Sequence, residues 1–169
     1  MEYEIVYSNR KTISLCVKDG LLTVKAPIGT PRWKIEELVF SHTSWIEKSI
    51  NRQRERNAKF DSLTEENIAE LRKIAKKVIP YKVEYYSKIM GLKHGRITIT
   101  SAKTRFGSCT SKGNLSFSYR LMMYPEETID YVVVHELAHL VEMNHSPNFY
   151  KIVESVLPDY KKRKKLLKK

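Results

Sequence analysis

The segment YVVVHELAHLV, residues 131–141, places the strongest constraint on the fold of this 169-residue chain. Its valines and leucines predict a buried helix, and Pro125 followed by two glutamates predicts where that helix begins. His135, Glu136 and His139 interrupt the apolar run. A buried helix can hold such polar groups only where they find partners, so the segment predicts a core element and a site together.

The spacing of the first two histidines indicates a metal site. His135 and His139 stand four residues apart, which places both imidazoles on one helix face, one turn apart. Glu136 lies about 100° further round the helix, outside that row but within reach of a water molecule. This is the His-Glu-x-x-His arrangement, in which the histidines bind zinc and the glutamate acts as general base.

A third ligand requires the chain to turn, because a continuous helix would carry His145 to another face. Asn144 predicts a left-handed residue that ends the helix, and Ser146-Pro147 predicts the cap and first residue of the next one. His145 is therefore the preferred third ligand, and Glu154 on the following helix is its rival. Two alternatives to a catalytic metal site are a pair of histidines with a purely structural role and a structural zinc. Three protein ligands argue against a structural zinc, because they leave open the fourth position that a catalytic site needs.

The first 60 residues predict a small sheet followed by helices. Alternating apolar residues at 3–8 and 12–17, then GLLTVKAP after the Asp19-Gly20 turn, predict an antiparallel arrangement. Thr30 is the predicted cap and Pro31 the first residue of a helix, which residues 41–44 divide into two. The polar stretch NRQRERNAK predicts a solvated connector.

Residues 61–169 predict a second region with a basic C-terminal tail. A helix is expected to begin near Thr64, to break or kink at Pro80 and to end at Gly91. The runs GRITITSAK and NLSFSYRLMM predict two strands joined as a long-looped hairpin. The predicted fold class is α+β, with a small antiparallel sheet packed on helices and a separate N-terminal hairpin and helix region.

The charge of the chain bears on its partners. There are 31 basic and 19 acidic residues, a net charge of +12, which favours nucleic acid or another polyanion. A solubilising surface explains the same surplus. Four aromatic residues suit base stacking, although their helical spacing favours the core. They are Trp33, Trp45, Tyr85 and Tyr86.

Other features of the sequence favour a cytoplasmic protein. No segment approaches the roughly 18 apolar residues of a membrane span, and the first residues lack the apolar segment of a signal peptide. The two cysteines, Cys16 and Cys109, are far apart in the sequence and form no CxxC pair. This pattern is typical of free thiols in a reducing compartment.

Three segments together resemble a known family. They are TRFGSCTSKGNLSFSYRL, YPEETIDYVVVHELAHLVEMNHSPNFY and LPDYKKRKKLL. The chain resembles the YgjP-like zinc-dependent metallopeptidases, which are related to SprT and WLM proteins, most strongly over residues 92–169. The resemblance implies a zincin-like α+β fold, zinc bound by His135, His139 and His145, and Glu136 as catalytic base. Nickel or cobalt could occupy the same single site.

Three further residues are candidates for substrate binding. Arg105 and Arg120 could bind a carboxylate or phosphate or polarise an oxyanion, although structural ion pairs explain such arginines equally. Tyr119 could donate to a transition state or simply pack. Cys109 could act as a thiolate at the metal or as a small buried residue. The strand NLSFSYRL is the predicted sheet edge for an extended substrate.

The sequence therefore predicts a zinc-dependent metallopeptidase acting on peptides or proteins through a metal-activated water, with Glu136 as general base. Hydrolysis of a nucleoside triphosphate is one alternative, although phosphoanhydride hydrolysis usually recruits magnesium and carboxylate clusters that the sequence does not show. A nucleic-acid-associated binding module is the other.

Overall fold

A computed structural model describes residues 2–18 and 20–167 in two compact units, 1–62 and 63–169. Asp19, part of the predicted turn, lies outside the described residues, as do the last two lysines of the basic tail. The elements of the first unit are strands β1 (Tyr3–Ser8), β2 (Ser14–Lys18) and β3 (Leu21–Pro27) and helices α1 (Arg32–Ser41) and α2 (Thr43–Asp61).

The sheet of the first unit is mixed, so the predicted antiparallel arrangement is wrong for one pair. The strand order is β1-β3-β2, with β1 parallel and β2 antiparallel to β3. β3 takes the centre because its alternate residues Leu22, Val24 and Ala26 are all buried in the core, whereas the flanking strands are more exposed. Ile35, Val39 and Ile46 of the two helices complete this core.

The helices of this unit differ from the prediction in two details. Pro31 is the N-cap of α1 rather than its first residue, and Thr30 donates its hydroxyl to the Pro27 carbonyl instead of capping the helix. Residues 51–59 continue α2, so the predicted connector is helical. The predicted division at residues 41–44 is confirmed, because α1 ends at Ser41 and α2 begins at Thr43.

The second unit contains the other elements. They are helix α3 (Glu65–Met90), strands β4 (Ile97–Thr100), β5 (Gly107–Cys109) and β6 (Leu115–Ser118), a short 3-10 helix (Tyr119–Met123), and helices α4 (Glu126–Ala138), α5 (Pro147–Val156) and α6 (Tyr160–Leu166). Within the described ranges, none of the helices combines the length and apolar character needed to cross a membrane.

Helix α3 begins and ends as predicted but does not break at Pro80. A capping box joins Thr64 and Asn67 at its start, and Gly91 ends it with a φ of 65°, in the left-handed region. The helix continues through Pro80, which cannot donate a backbone hydrogen bond. Ile79 and Val83, on either side of Pro80, are buried in the core, and their packing compensates for the lost hydrogen bond.

The strands of this unit do not form the predicted hairpin. β6 is central, parallel to β4 and antiparallel to β5, and β5 arises from what was predicted to be a loop. The burial pattern gives the reason, since Leu115 and Phe117 of β6 are wholly buried in the core of this unit, as suits the middle strand of the sheet. Residues 119–123 turn into the 3-10 helix, so the predicted strand ends early. The α+β class itself is confirmed.

Candidate metal centre

The three histidines come from a helix and from the turn that follows it. His135 lies in the last turn of α4, and His139 is the C-cap of that helix. The helix ends at Ala138, six residues before Asn144, so the predicted helix-ending role of Asn144 is wrong. Ser146 accepts a hydrogen bond from the Phe149 backbone and begins α5, as predicted.

The turn brings His145 back to the other two histidines. The ligating atoms of the three side chains all lie within 4.8 Å of one another. Nε2 of His145 is 3.0 Å from Nε2 of His135, a distance at which two ring nitrogens repel unless a proton or a cation lies between them. Glu154 is exposed on α5 and does not belong to this group.

The outer ring nitrogens of two histidines have protein partners. Nδ1 of His139 is 3.1 Å from the backbone carbonyl of Glu142, which can only accept a hydrogen bond, so this nitrogen carries the proton and donates. Nδ1 of His135 is 3.4 Å from the hydroxyl of Tyr131. With the proton on Nδ1, each ring presents the lone pair of Nε2 inward, which is how metal-binding histidines are usually oriented.

Phe149 forms the apolar support of the three rings. Its ring centroid is 4.8 Å from that of His135, 4.5 Å from His139 and 4.9 Å from His145, and the residue is wholly buried. No motif in the sequence singles out this residue. The signal that could have found it is its position three residues after the Ser146 cap, where the first turn of α5 must face back toward the histidines.

The electrostatics of the rings fit a bound divalent cation. Burial lowers the pKa of His135 to about 3, and the neighbouring His139 and His145 lower it further in the same direction. Burial also lowers the pKa of His145. Neutral imidazoles are the form that binds a metal, and a set of three nitrogen donors suits zinc.

Glu136 is buried beside a glycine of strand β5. The residue is 6% exposed, and a Cβ added to Gly107 of β5 would lie 2.5 Å from its Oε1 atom. Only glycine therefore lets the strand approach this carboxylate so closely. Burial raises the pKa of Glu136 to about 7, and the positive charge of Arg105 opposes part of that rise.

The three candidate substrate residues lie in different environments. Arg105 is exposed just before β5 and borders a cavity of about 110 Å³. Tyr119 and Arg120 are 2% and 6% exposed in the 3-10 helix, not in a strand. The guanidinium groups of Arg72 and Arg120 lie over the Tyr119 ring. Both residues therefore pack in the interior, and Arg105 alone of the three reaches solvent.

Several other sequence predictions have structural outcomes. Burial and the charge of Glu136 raise the pKa of Cys109, which keeps its thiol protonated and does not favour a thiolate at the metal. Trp33, Trp45 and Tyr85 are 65%, 48% and 53% exposed, so the prediction that they belong to the core is wrong. Tyr86 is partly buried and packs against the core of the second unit.

The chain has relatives among known proteins. In structure it is similar to abylysin from Pyrococcus abyssi, solved as a metallopeptidase zymogen, at 26% identity over 51% of this chain and 88% of that one, with a TM-score of 0.47. It is also similar to the jannalysin zymogen from Methanocaldococcus jannaschii, at 18% identity over 51% and 89%, with a TM-score of 0.45. Among curated proteins, none matches.

The decisive comparison is with a protein family. The sequence model of the YgjP-like metallopeptidase domain matches residues 11–69 and 60–169, which together span most of the chain and include all three histidines and Glu136. This coverage extends across both structural units, and the resemblance seen in the sequence is confirmed. The chain belongs to the YgjP-like metallopeptidase family and is a metal-dependent peptidase.

Proposed function

We propose that this metallopeptidase binds one zinc ion through His135, His139 and His145 and uses Glu136 as general base. The observation that carries the proposal is the convergence of three imidazole nitrogens within 4.8 Å at the end of the helix that also bears Glu136. Zinc bound there would supply Lewis acidity toward a peptide carbonyl and a water molecule.

The residues of the chain account for the movement of protons. A carboxylate oxygen of Glu136 accepts a proton from water as the water oxygen attacks the peptide carbonyl carbon. The same carboxyl then gives that proton to the amine nitrogen as the carbon–nitrogen bond breaks. Its burial against Gly107 limits the positions that the carboxylate can occupy, which favours one direction of proton transfer.

An extended substrate would pair with β5. The segment NLSFSYRL was the predicted edge, but its strand β6 is central in the sheet and pairs with a neighbouring strand on both sides. β5 is an edge strand and packs against Glu136 through Gly107, so a peptide added to its open edge would lie near the general base.

The proposal is tested by separating metal binding from turnover. Zinc content and cleavage of an unfolded protein would be measured for the zinc-loaded wild type and three variants. We expect Glu136→Gln to retain zinc but to lose activity by about 10³-fold, within the range that general bases contribute. His145→Ala should lose zinc. Glu154→Gln is the matched control and should match the wild type in both measurements.

Three outcomes of these measurements would overturn the proposal. They are a Glu136→Gln variant as active as the wild type, a His145→Ala variant that keeps its zinc, and loss of zinc in Glu154→Gln. Nucleoside triphosphates assayed in parallel address the alternative hydrolysis: phosphate release that disappears in Glu136→Gln, without any peptide cleavage, would replace a peptidase with a nucleotide hydrolase.

A further inference from the structure

A small cavity adjoins the strand that contacts Glu136. It has a volume of about 110 Å³ and is bordered by Arg105, Ser108, Ser116 and Ser118, among others. Gly107 lies at its margin and contacts Glu136 from the other face of the sheet. The cavity therefore lies close to the general base, but none of the three histidines borders it.

The cavity is lined by hydrogen-bond donors on one face of the sheet. Ser108 and Ser116 are directly opposite in the antiparallel register of β5 and β6, so their side chains lie side by side. Across the described part of the chain, neither hydroxyl makes a side-chain hydrogen bond. The Ser118 hydroxyl differs, because it already donates to the Ala102 carbonyl at 2.9 Å.

Arg105 adds a positive charge to these two hydroxyls. Its side chain is exposed, and it forms no salt bridge with the residues that the structure describes. It borders the same cavity as the two serines and lies two residues before Gly107, the residue that meets Glu136. A guanidinium beside two hydroxyl donors suits the geometry and charge of a carboxylate.

The position of the cavity relates it to a bound peptide. In an extended strand, successive side chains point to opposite faces. A substrate paired with β5 would therefore direct alternate side chains toward the face of Gly107 and toward the face of Ser108. One substrate residue would meet the cavity, and its two neighbours would face α4.

We propose that Arg105, Ser108 and Ser116 form a binding pocket for a carboxylate of the peptide substrate, adjacent to the scissile bond. The pocket rests on the proposed peptidase function and names a substrate class, peptides that carry a carboxylate at one fixed position. That carboxylate comes from an aspartate or glutamate side chain or from the peptide C-terminus. The surplus positive charge of the chain favours the approach of such peptides.

Binding is measured first, without turnover. The probes are three dansylated alanine pentapeptides bound to zinc-loaded Glu136→Gln protein: one with a central glutamate and an amidated end, one with a central glutamine and an amidated end, and one with glutamine and a free C-terminus. We expect one carboxylate peptide to bind about tenfold more tightly than the neutral peptide, as for a charge-assisted hydrogen bond at a partly exposed site. Whichever carboxylate peptide binds more tightly identifies the source.

Variants then assign that preference to the pocket. Adding Arg105→Gln should abolish the preference, and Ser116→Ala should reduce it. Arg96→Gln is the matched control, because it removes the same charge from an exposed position just before β4 that does not border the cavity, and should leave the preference intact. Equal binding of all three peptides, or a preference that persists without Arg105, would overturn the proposal.

Cleavage mapping in the active enzyme distinguishes the two proposals. In a peptide library digested by the wild type, we expect acidic residues to be enriched at one position, or cleavage at a fixed distance from a free C-terminus. Arg105→Glu should replace that enrichment with lysine and arginine. Cleavage without any such selectivity would overturn the proposed carboxylate pocket but not the proposed peptidase function. Carboxylate-selective binding without any cleavage would overturn the proposed peptidase function but not the pocket.

Discussion

The two ends of α4 hold their polar groups in opposite ways. At its start, Nζ of Lys82 from α3 lies 2.7 Å from Oε1 of Glu126 and 2.6 Å from Oδ1 of Asp130. Arg163 of α6 adds a contact of 3.5 Å to Asp130, and burial together with the Asp130 carboxylate raises the pKa of Tyr86 to about 12. Lys82, Glu126, Asp130 and Arg163 thus each have an oppositely charged partner from the protein itself.

The other end of α4 leaves its polar groups open to an external partner. His135, His139 and His145 direct ring nitrogens toward one another, and Glu136 is buried against a glycine. The C-terminal end of a helix also carries a partial negative charge, which favours a cation there. Polar groups that are paired within the protein therefore stabilise the fold, whereas groups without a protein partner serve binding and chemistry.

The largest effect on stability is expected at the saturated end. Lys82→Met should lower the free energy of unfolding by about 3 kcal/mol, because the mostly buried Asp130 carboxylate loses its closest cation and keeps only the longer contact with Arg163. Urea denaturation measures it. Lys88→Met is the matched control on the same helix, since Lys88 pairs with Glu84 at the surface and should cost under about 0.5 kcal/mol. Zinc affinity should not change in either variant. Loss of zinc affinity in Lys82→Met would show that the two ends of α4 do not act independently.

At the open end, the next largest effect is expected on turnover. Gly107→Ala places a methyl group where the Glu136 carboxylate lies, so that carboxylate must shift. We expect kcat/KM to fall about 100-fold, as for a displaced catalytic group, with zinc affinity nearly unchanged.

The control for this substitution is Gly95→Ala. A Cβ there would lie 2.5 Å from the Asn114 side chain, an equally close contact, but with no part of the candidate site. Gly95→Ala should lower stability without the loss in kcat/KM. Equal losses of turnover in both variants would mean that general strain, and not the position of Glu136, governs activity.

A smaller effect is expected on metal affinity. Tyr131→Phe removes the hydroxyl 3.4 Å from Nδ1 of His135, so the ring loses the group that orients it. Loss of such a partner typically weakens metal binding about tenfold or more, and competition with a chelator measures it. Tyr160→Phe is the control, because the ring of Tyr160 stacks on Tyr150 without contacting a histidine. Unchanged affinity in Tyr131→Phe would show that packing alone orients His135.

The parts of this molecule that follow from local sequence could be predicted. His135 and His139 share a face because of helical geometry alone, and Ser146 caps α5 because of its own hydroxyl. The contact of Gly107 with Glu136 could not be predicted, since it depends on how β5 pairs and on which strand is central. The parallel pairing of β4 with β6 is equally non-local, so a hairpin was expected where the chain instead crosses over.

The same limit explains the aromatic residues. Trp33 and Tyr85 have helical spacing that suits a core, yet they are 65% and 53% exposed. Spacing places a residue on a face of a helix, but only the neighbouring elements decide whether that face is covered.

The smallest expected effect concerns Glu126 and depends on pH. Its hydrogen bond from Lys82 lowers the pKa of Glu126 below its usual value. A carboxyl whose pKa is lower in the folded state stabilises the protein above the unfolded-state pKa, about 4.3, and loses that contribution as the pH falls through the folded-state pKa. Glu126→Gln should therefore unfold at a lower urea concentration than the wild type at pH 7, and the difference should vanish at lower pH.

Lys82 stays protonated over the whole range in which Glu126 titrates, so the pH dependence below pH 8 comes from the carboxyl side of this network. Burial alone would lower the pKa of Lys82, but its hydrogen bonds to Asp130 and Glu126 outweigh burial and raise it. The contribution of Lys82 is therefore complete below the unfolded-state pKa and is lost as the pH rises through the folded-state value. Urea titrations of the wild type and Glu126→Gln from pH 3 to 8 should converge only at the acidic end. A difference that stays constant down to pH 3 would mean that Glu126 contributes through packing and not through its charge, and the contrast between the two ends of α4 would then rest on Asp130.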